Sequence, residues 1–304
     1  MATLKGQNFR LLTYNSTSSK WSVVGMSTNC TITLGTSTDD SSTKDDIGMA
    51  AKPAVVSKNW QVQVDSLSVA DVGAMLTAIK SLTPFTLMWD EVSTSDNQTP
   101  ESADVARQGQ AFLSDATFQF DDRANSTKSL QFIGSGPISA GPSTPTIQEV
   151  STGSFTKGQF VRLFIGSDNT TTPTSCIAAA KTLQLHVSLT VEDASTKDTT
   201  GDFVMNEPTA LNYDISTSAL MRSNDTITSA VGGKTVADLE SIYETGNPVK
   251  FQIANTSGAN NRTKGSVIVS GSVILSQLTL QAQNRSNATY DAQLTGYGTY
   301  TVGA

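Results

Sequence analysis

The sequence predicts a mainly β protein: two tandem antiparallel β-sandwich or split-barrel domains, each with one packed α-helix. Three observations predict it. Thr, Val, Ile and Phe recur in short alternating runs, the pattern of strands with one buried face. Ser, Thr and Asn fill much of the rest, and their side chains compete with the helix backbone for hydrogen bonds. Finally, the second half of the chain repeats the first in order.

The repeat is read from six matched segments. Lys5–Leu11 (KGQNFRL) returns as Lys157–Leu163 (KGQFVRL), and Asp39–Asp45 (DDSSTKD) as Glu192–Asp198 (EDASTKD). At the same offset Asn59-Trp60 falls on Asn212-Tyr213, and Leu67 on Leu220. Val69–Val72 matches Val236–Leu239 after an insertion around Met221–Lys234. Arg123–Thr127 matches Arg285–Thr289, and Gln131–Gly136 (QFIGSG) matches Gln293–Gly298 (QLTGYG). Segments that keep one order with little drift imply a tandem duplication. The expected domains are residues 1–138 and 155–304, joined by a Pro-, Gly- and Ser-rich linker over 139–154.

Each copy reads as strands around one helix. In the first, Ser68 is positioned to cap, Asp71 follows, and Val69, Val72, Met75, Leu76, Ile79 and Leu82 share a face. Phe85–Trp89 is a buried strand entered through Pro84, and Gly109–Phe120 is a long strand. In the second, Thr235 caps, Asp238 follows, Val236, Leu239, Ile242 and Tyr243 form the stripe, and Gly246 and Pro248 stop the helix. Val249–Ile253 follows as a strand, then Ser266–Leu275, with Gly271 a candidate bulge. An amphipathic helix in such a chain is used by laying its stripe on a sheet.

Composition narrows the function. At 37% hydrophobic and 15% charged the chain can bury cores, which excludes a charged disordered polymer. A net charge of −7 with no basic run excludes ordinary nucleic-acid binding, though an acidic surface can let DNA slide past. No basic, then apolar, segment follows Met1, and no apolar stretch has membrane-spanning length, so neither a signal peptide nor a membrane role is expected. Cys30 and Cys176 are expected as free thiols.

Chemistry-bearing patterns are few. Gly232-Gly233-Lys234-Thr235 resembles the end of a phosphate loop but lacks its first glycine, and reads as a turn and cap. Asp39, Asp40, Asp45 and Asp46 lack the alternating spacing and later glutamate of a Ca²⁺ loop, and read as a solvated or partner-facing loop. The single histidine, His186, alternates with Leu185 and Val187 on a strand, a surface position rather than a catalytic base. No catalytic residues, cofactor or metal are therefore expected, and an enzyme is the weakest class.

The order of these elements, with Ser42-Thr43-Lys44-Asp45 before Asn59-Trp60, and Ser195-Thr196-Lys197-Asp198 before Gly201, Phe203 and Asn212-Tyr213, resembles the major tail tube proteins of long-tailed bacteriophages. The resemblance spans both halves. It implies domains joined side by side into rings of six whose inner sheets continue into one large barrel, the rings stacking into a hollow tube; viral DNA is expected to pass through its acidic lumen without specific binding. With two domains per chain a ring would hold three chains in pseudo-sixfold symmetry. Loops of this family reach the neighbouring ring, which makes Asp39, Asp40, Lys44, Asp45, Glu192, Asp193, Lys197 and Asp198 stacking candidates. Tape measure, tail-tip and tail-terminator proteins are the implied partners, and the virion tail, assembled in the bacterial cytoplasm, the implied location. Two other classes remain open. One is a capsid decoration or tail-tip protein. The other is a secreted adhesin or carbohydrate-binding module, using exposed aromatics such as Trp21 or Tyr297 as sugar platforms.

Overall fold

The computed structural model describes residues 6–15, 19–24, 27–45, 51–67, 72–91, 106–142, 145–146, 157–199, 201–221, 233–257 and 262–303. The first half contributes β1 (Phe9–Asn15), β2 (Lys20–Val23), β3 (Ser27–Asp40), β4 (Pro53–Leu67), α1 (Val72–Lys80), β5 (Phe85–Glu91), β6 (Arg107–Asp121) and β7 (Thr127–Ala140). The second contributes β8 (Val161–Ile165), β9 (Ala180–Asp193), β10 (Asn206–Leu220), α2 (Val236–Thr245), β11 (Val249–Ser257), β12 (Thr263–Gln281) and β13 (Thr289–Val302). The fold is mainly β and antiparallel, as the alternation predicts. The two halves are not separate sheets, however. All thirteen strands belong to one sheet, and β7 extends into the residues expected to form the linker.

The two halves are wired alike. In the first, β3 pairs β4, β4 pairs β7, β7 pairs β6, β6 pairs β5, and β5 pairs β1. In the second, β9 pairs β10, β10 pairs β13, β13 pairs β12, β12 pairs β11, and β11 pairs β8. The registers coincide as well: Gln61↔Ile133 corresponds to Asp214↔Thr295, and Phe85↔Ala111 to Val249↔Val273. The β12–β13 register shifts beside Gly271, but the extra residues, Gly298–Tyr300, lie on β13, while Gly271 keeps its regular place opposite Phe251 of β11, so the irregularity expected on β12 falls on its partner strand.

The core lies between layers. The long strands β3, β4, β7, β6, β9, β10, β13 and β12 form a broad sheet, and the short strands turn off β6 and β12 to cover its apolar face. Rings meet across the gap: Trp60 on β4 lies 5.7 Å from Trp89 on β5, and Tyr213 on β10 lies 5.9 Å from Phe251 on β11. Trp60 requires glycine opposite it, since a Cβ on Gly134 would stand 2.1 Å from the indole. Gly296 makes the same room for Tyr213, since a Cβ there would stand 2.7 Å from the ring. The helices close the layer. Leu76 and Ile79 of α1 and Leu239 and Ile242 of α2 are buried, and Tyr300 on β13 donates to the Leu76 carbonyl at 2.8 Å, tying α1 to the second half.

Thr235 and Asp238 form a reciprocal capping box at the start of α2, and Gly246 ends it in the left-handed region at φ 61°. The expected cap of α1 at Ser68, with Val69 and Asp71, lies outside the described residues, as does Gly232. Among the described residues, no helix is long and apolar enough to cross a membrane.

Candidate assembly surface

One face of the broad sheet is polar throughout its lower part. Strand alternation sends Leu183, Leu185 and Val187 of β9 into the core and turns Gln184, His186 and Ser188 the other way. Pairing across the sheet extends that second face through Asp115, Thr117 and Gln119 of β6, Ser129 and Gln131 of β7, Gln63 and Asp65 of β4, Asp214 and Ser216 of β10, and Asp291 and Gln293 of β13. These positions carry aspartates and one histidine, with no lysine or arginine.

His186 is more than a surface strand residue. Its Nε2 lies 2.6 Å from Asp115 Oδ2 on β6, and its Nδ1 lies 2.8 Å from Asp214 Oδ1 on β10. Partial burial alone would lower its pKa, but hydrogen bonds to Asp115 and Asp214, with their negative charges, outweigh that and raise it. The imidazolium can donate to both carboxylates, so three strands are tied together where the first half meets the second.

That meeting is the β6–β9 pairing, Asp115↔Ser188 to Asp121↔Thr182, in which Ala116, Phe118 and Phe120 bury against Val187, Leu185 and Leu183. The repeat assigns each side a counterpart at the far edges of the broad sheet. By that alignment β12 corresponds to β6 and β3 to β9. Residues 277–281 of β12 have β13 on one side and no partner on the other among the described residues, and β3 has only β4. Carrying the β6–β9 register over sets Gln277 opposite Gly35, Leu278 opposite Leu34, Thr279 opposite Thr33, and Leu280 opposite Ile32. Leu34 and Leu280 are 66% and 46% exposed, although they stand where Val187 and Phe118 are buried. Neither edge was singled out by sequence reasoning. The signal was present, because aligning the halves places both leucines at core positions.

The candidate loop residues come together at one rim. Successive antiparallel pairings make β3 and β9 run the same way, so their following loops leave the same edge. Asp39 and Asp40 end β3, and Glu192 and Asp193 end β9; Lys44 and Asp45, like Lys197 and Asp198, sit in turns, and all eight are exposed. Asp40 accepts hydrogen bonds from the Ser42 hydroxyl and N–H, and Asp193 is held by the Ser195 side chain and N–H, which keep both carboxyls below their ordinary pKa.

Trp21 is a correction. Expected as an exposed platform, it is only 6% exposed, because Leu12, Met88 and Ala106 enclose it and the Tyr14 ring lies tilted against it at 5.1 Å. Tyr297 is 51% exposed. Cys30 is a free thiol, as expected. Among the described residues no three His, Cys, Asp or Glu side chains group to hold a metal ion.

A continuous sheet whose broad layer has a polar face and, among the described residues, two unpaired edges matched in register by the repeat defines a class of protein that can join to copies of itself by strand addition. Comparison with known proteins adds little. No family model matches, and no curated protein matches. Among solved structures, the chain is similar to the tail of an empty gene transfer agent particle refined helically with C6 symmetry, at 12% identity and a TM-score of 0.36, over 49% of this chain and 99% of that one. It is similar to the virion of a native gene transfer agent particle at 13% and 0.35, over 49% and 99%, and to the SPP1 tail tube at 15% and 0.35, over 46% and 75%. Values this low do not by themselves assign a role.

Proposed function

We propose that this chain is a structural virion protein of the tail, a tandem duplication whose copies join edge to edge, three to a ring, and whose rings stack into a hollow tube. The observation that carries the reading is the β6–β9 junction, because the chain already contains one copy of the seam and leaves both halves of a second one open. Pairing β12 of one copy with β3 of the next would make every junction alike, the condition for closed cyclic assembly. It would remove these two unpaired edges of the broad sheet and bury what remains exposed of Leu34 and Leu280, about half to two-thirds of each side chain, contributing about 1–2 kcal/mol each.

The polar face would then line the lumen. Carboxylates without lysine or arginine repel a phosphate backbone, which suits passage of viral DNA without retention. Asp39, Asp40, Lys44, Asp45, Glu192, Asp193, Lys197 and Asp198 share a rim and would meet the next ring. Tape measure, tail-tip and terminator proteins are the partners such a tube requires. No catalytic role enters this reading.

Electron microscopy of the purified chain at high concentration, averaged down the axis, tests it. Hollow rings with six lobes from three chains, alone or stacked, are the expected result. Solid closed oligomers would overturn the tube, and tight DNA binding by tubes at moderate salt would overturn the repelling lumen.

A further inference from the structure

The described residues of the loop between β9 and β10, 194–199 and 201–205, do not stand free at the rim. They turn back over the first half of their own chain. Lys58 N–H donates to the Asp202 carbonyl at 2.6 Å, Val204 N–H to the Lys58 carbonyl at 3.0 Å, and Gly136 N–H to the Val204 carbonyl at 2.8 Å. Gly136 permits the approach with φ at +82°, and Met205 Sδ lies 3.1 Å from where a Cβ would stand. At the base of the loop Asn206 N–H donates to Ser135 Oγ at 3.0 Å and Ser135 Oγ donates to the Asn206 carbonyl at 2.9 Å. Lys58 and Asp202 form an ion pair at 3.0 Å.

The β3–β4 loop, residues 41–52, has the same length, and the second half carries the corresponding dock. By the repeat alignment Leu211 stands for Lys58, Tyr297 for Ser135, and Gly298, with φ at +74°, for Gly136. Among the described residues this dock is open at Tyr297, which is half exposed, and at Gly298, where nothing lies within 4 Å of a built Cβ; Leu211 is partly buried.

Loop and dock have also changed together. Ser135 and Asn206 exchange hydrogen bonds, and their counterparts are Tyr297 and Pro53, a ring and a residue with no N–H to donate. Lys58 and Asp202 are a charged pair, and the residues at their positions in sequence, Leu211 and Met49, are both apolar. Each polar pair has become an apolar pair although its two members lie on opposite halves of the chain. Contact between the members accounts for this, and within one copy Pro53 on β4 and Tyr297 on β13 belong to strands that do not pair with each other.

We propose that the β3–β4 loop is a lateral latch. Residues 51–53 of one copy dock on Leu211, Tyr297 and Gly298 of the next, with Pro53 seated on the Tyr297 ring. The latch rests on the edge-to-edge reading above but is a second contact, made by the loop and not by the seam. It turns the base of this loop sideways, toward the adjacent copy in the same ring.

Paired cysteines test it in full-length chain carrying Cys30→Ser and Cys176→Ala. One variant adds Pro53→Cys and Tyr297→Cys, and a second adds Thr33→Cys and Thr279→Cys at the strand seam. Under mild oxidation both variants are expected to give covalent oligomers between chains. Cross-linking at 33–279 without 53–297 overturns the latch and leaves the ring standing, whereas cross-linking at neither site overturns both. A fast-migrating, internally bridged monomer in the 53–297 variant also overturns the latch. In otherwise native chain, Tyr297→Ala is expected to raise the concentration needed for assembly roughly tenfold, the scale of an interface aromatic; no change in a variant that remains folded counts against the latch.

Discussion

The closed seam between β6 and β9 and the open edges of β12 and β3 share a register by the repeat but differ in chemistry. In the closed seam Phe118 packs on Leu185, and on the polar face His186 bridges Asp115 and Asp214. At the open edges the counterparts of His186, Asp115 and Asp214 are Thr33, Gln277 and Gln61, none of them charged. A seam made once, as the chain folds, can use a charged bridge to fix its register against slippage. A seam made between copies must strip water from its edges at each assembly step. Uncharged amides and hydroxyls lose less by that than paired charges would.

The largest expected effect breaks the closed seam. Phe118→Ala empties a fully buried site shared by both halves and is expected to lower folding stability by about 3–5 kcal/mol, read from denaturant titration. Its counterpart Leu280→Ala should leave the isolated chain within about 0.5 kcal/mol of wild type, because that side chain is already half exposed. Next comes the open seam itself. Leu280→Lys or Leu34→Lys is expected to abolish rings while the circular dichroism spectrum stays native, since a lysine there would enter the joined core uncompensated. Rings formed by either variant would refute the register.

What the sequence disclosed follows from where the information sits. Local alternation, the prolines ahead of β5 and β11, and the Thr235–Asp238 cap are written in neighbouring residues, and those elements appear where expected. Edge identity is not local. Nothing near Leu280 or Leu34 in the chain says that its strand lacks a partner, because pairing is decided by segments far away. His186 was placed on the correct side of its strand, but Asp115 and Asp214 lie 71 and 28 residues away and reach it only through the registers of β6 and β10. Trp21 was misjudged for the same reason: Met88 and Ala106, which help to cover it, come from β5 and the residue before β6.

A smaller effect concerns the charged bridge. With its folded pKa raised, His186 binds its proton more tightly in the folded chain than in the unfolded one. Its contribution is therefore complete below the unfolded value, about 6.5, and is lost as pH rises through the folded value. His186→Gln should remove that dependence between pH 6 and 8, as should Asp115→Asn with Asp214→Asn. The amplitude should be about 1 kcal/mol or less, because all three side chains are partly exposed and screened. A wild-type melting temperature that is flat across this window would show that the bridge does not bear on stability. Ring assembly, with no counterpart bridge at the open seam, is expected to show no dependence from this source.

The smallest effect sharpens the comparison of the two loops. If the dock at Leu211 and Tyr297 is an apolar version of the dock at Lys58 and Ser135, the charged pair in the first should be exchangeable. Lys58→Leu with Asp202→Met is then expected to change stability by no more than about 0.5 kcal/mol, since the pair is about half exposed and the backbone bonds around it remain. Either single substitution should cost more than the double, because it leaves a charge facing an apolar side chain. The coupling in that double-mutant cycle, read by thermal melts, is the quantity that matters. A positive coupling means the two positions accept a polar or an apolar pair but not a mixture, the constraint that the matched exchange to Leu211 and Met49 implies. Additive singles would mean that the exchange arose without contact, and the argument for the latch would then rest on Pro53 and Tyr297 alone.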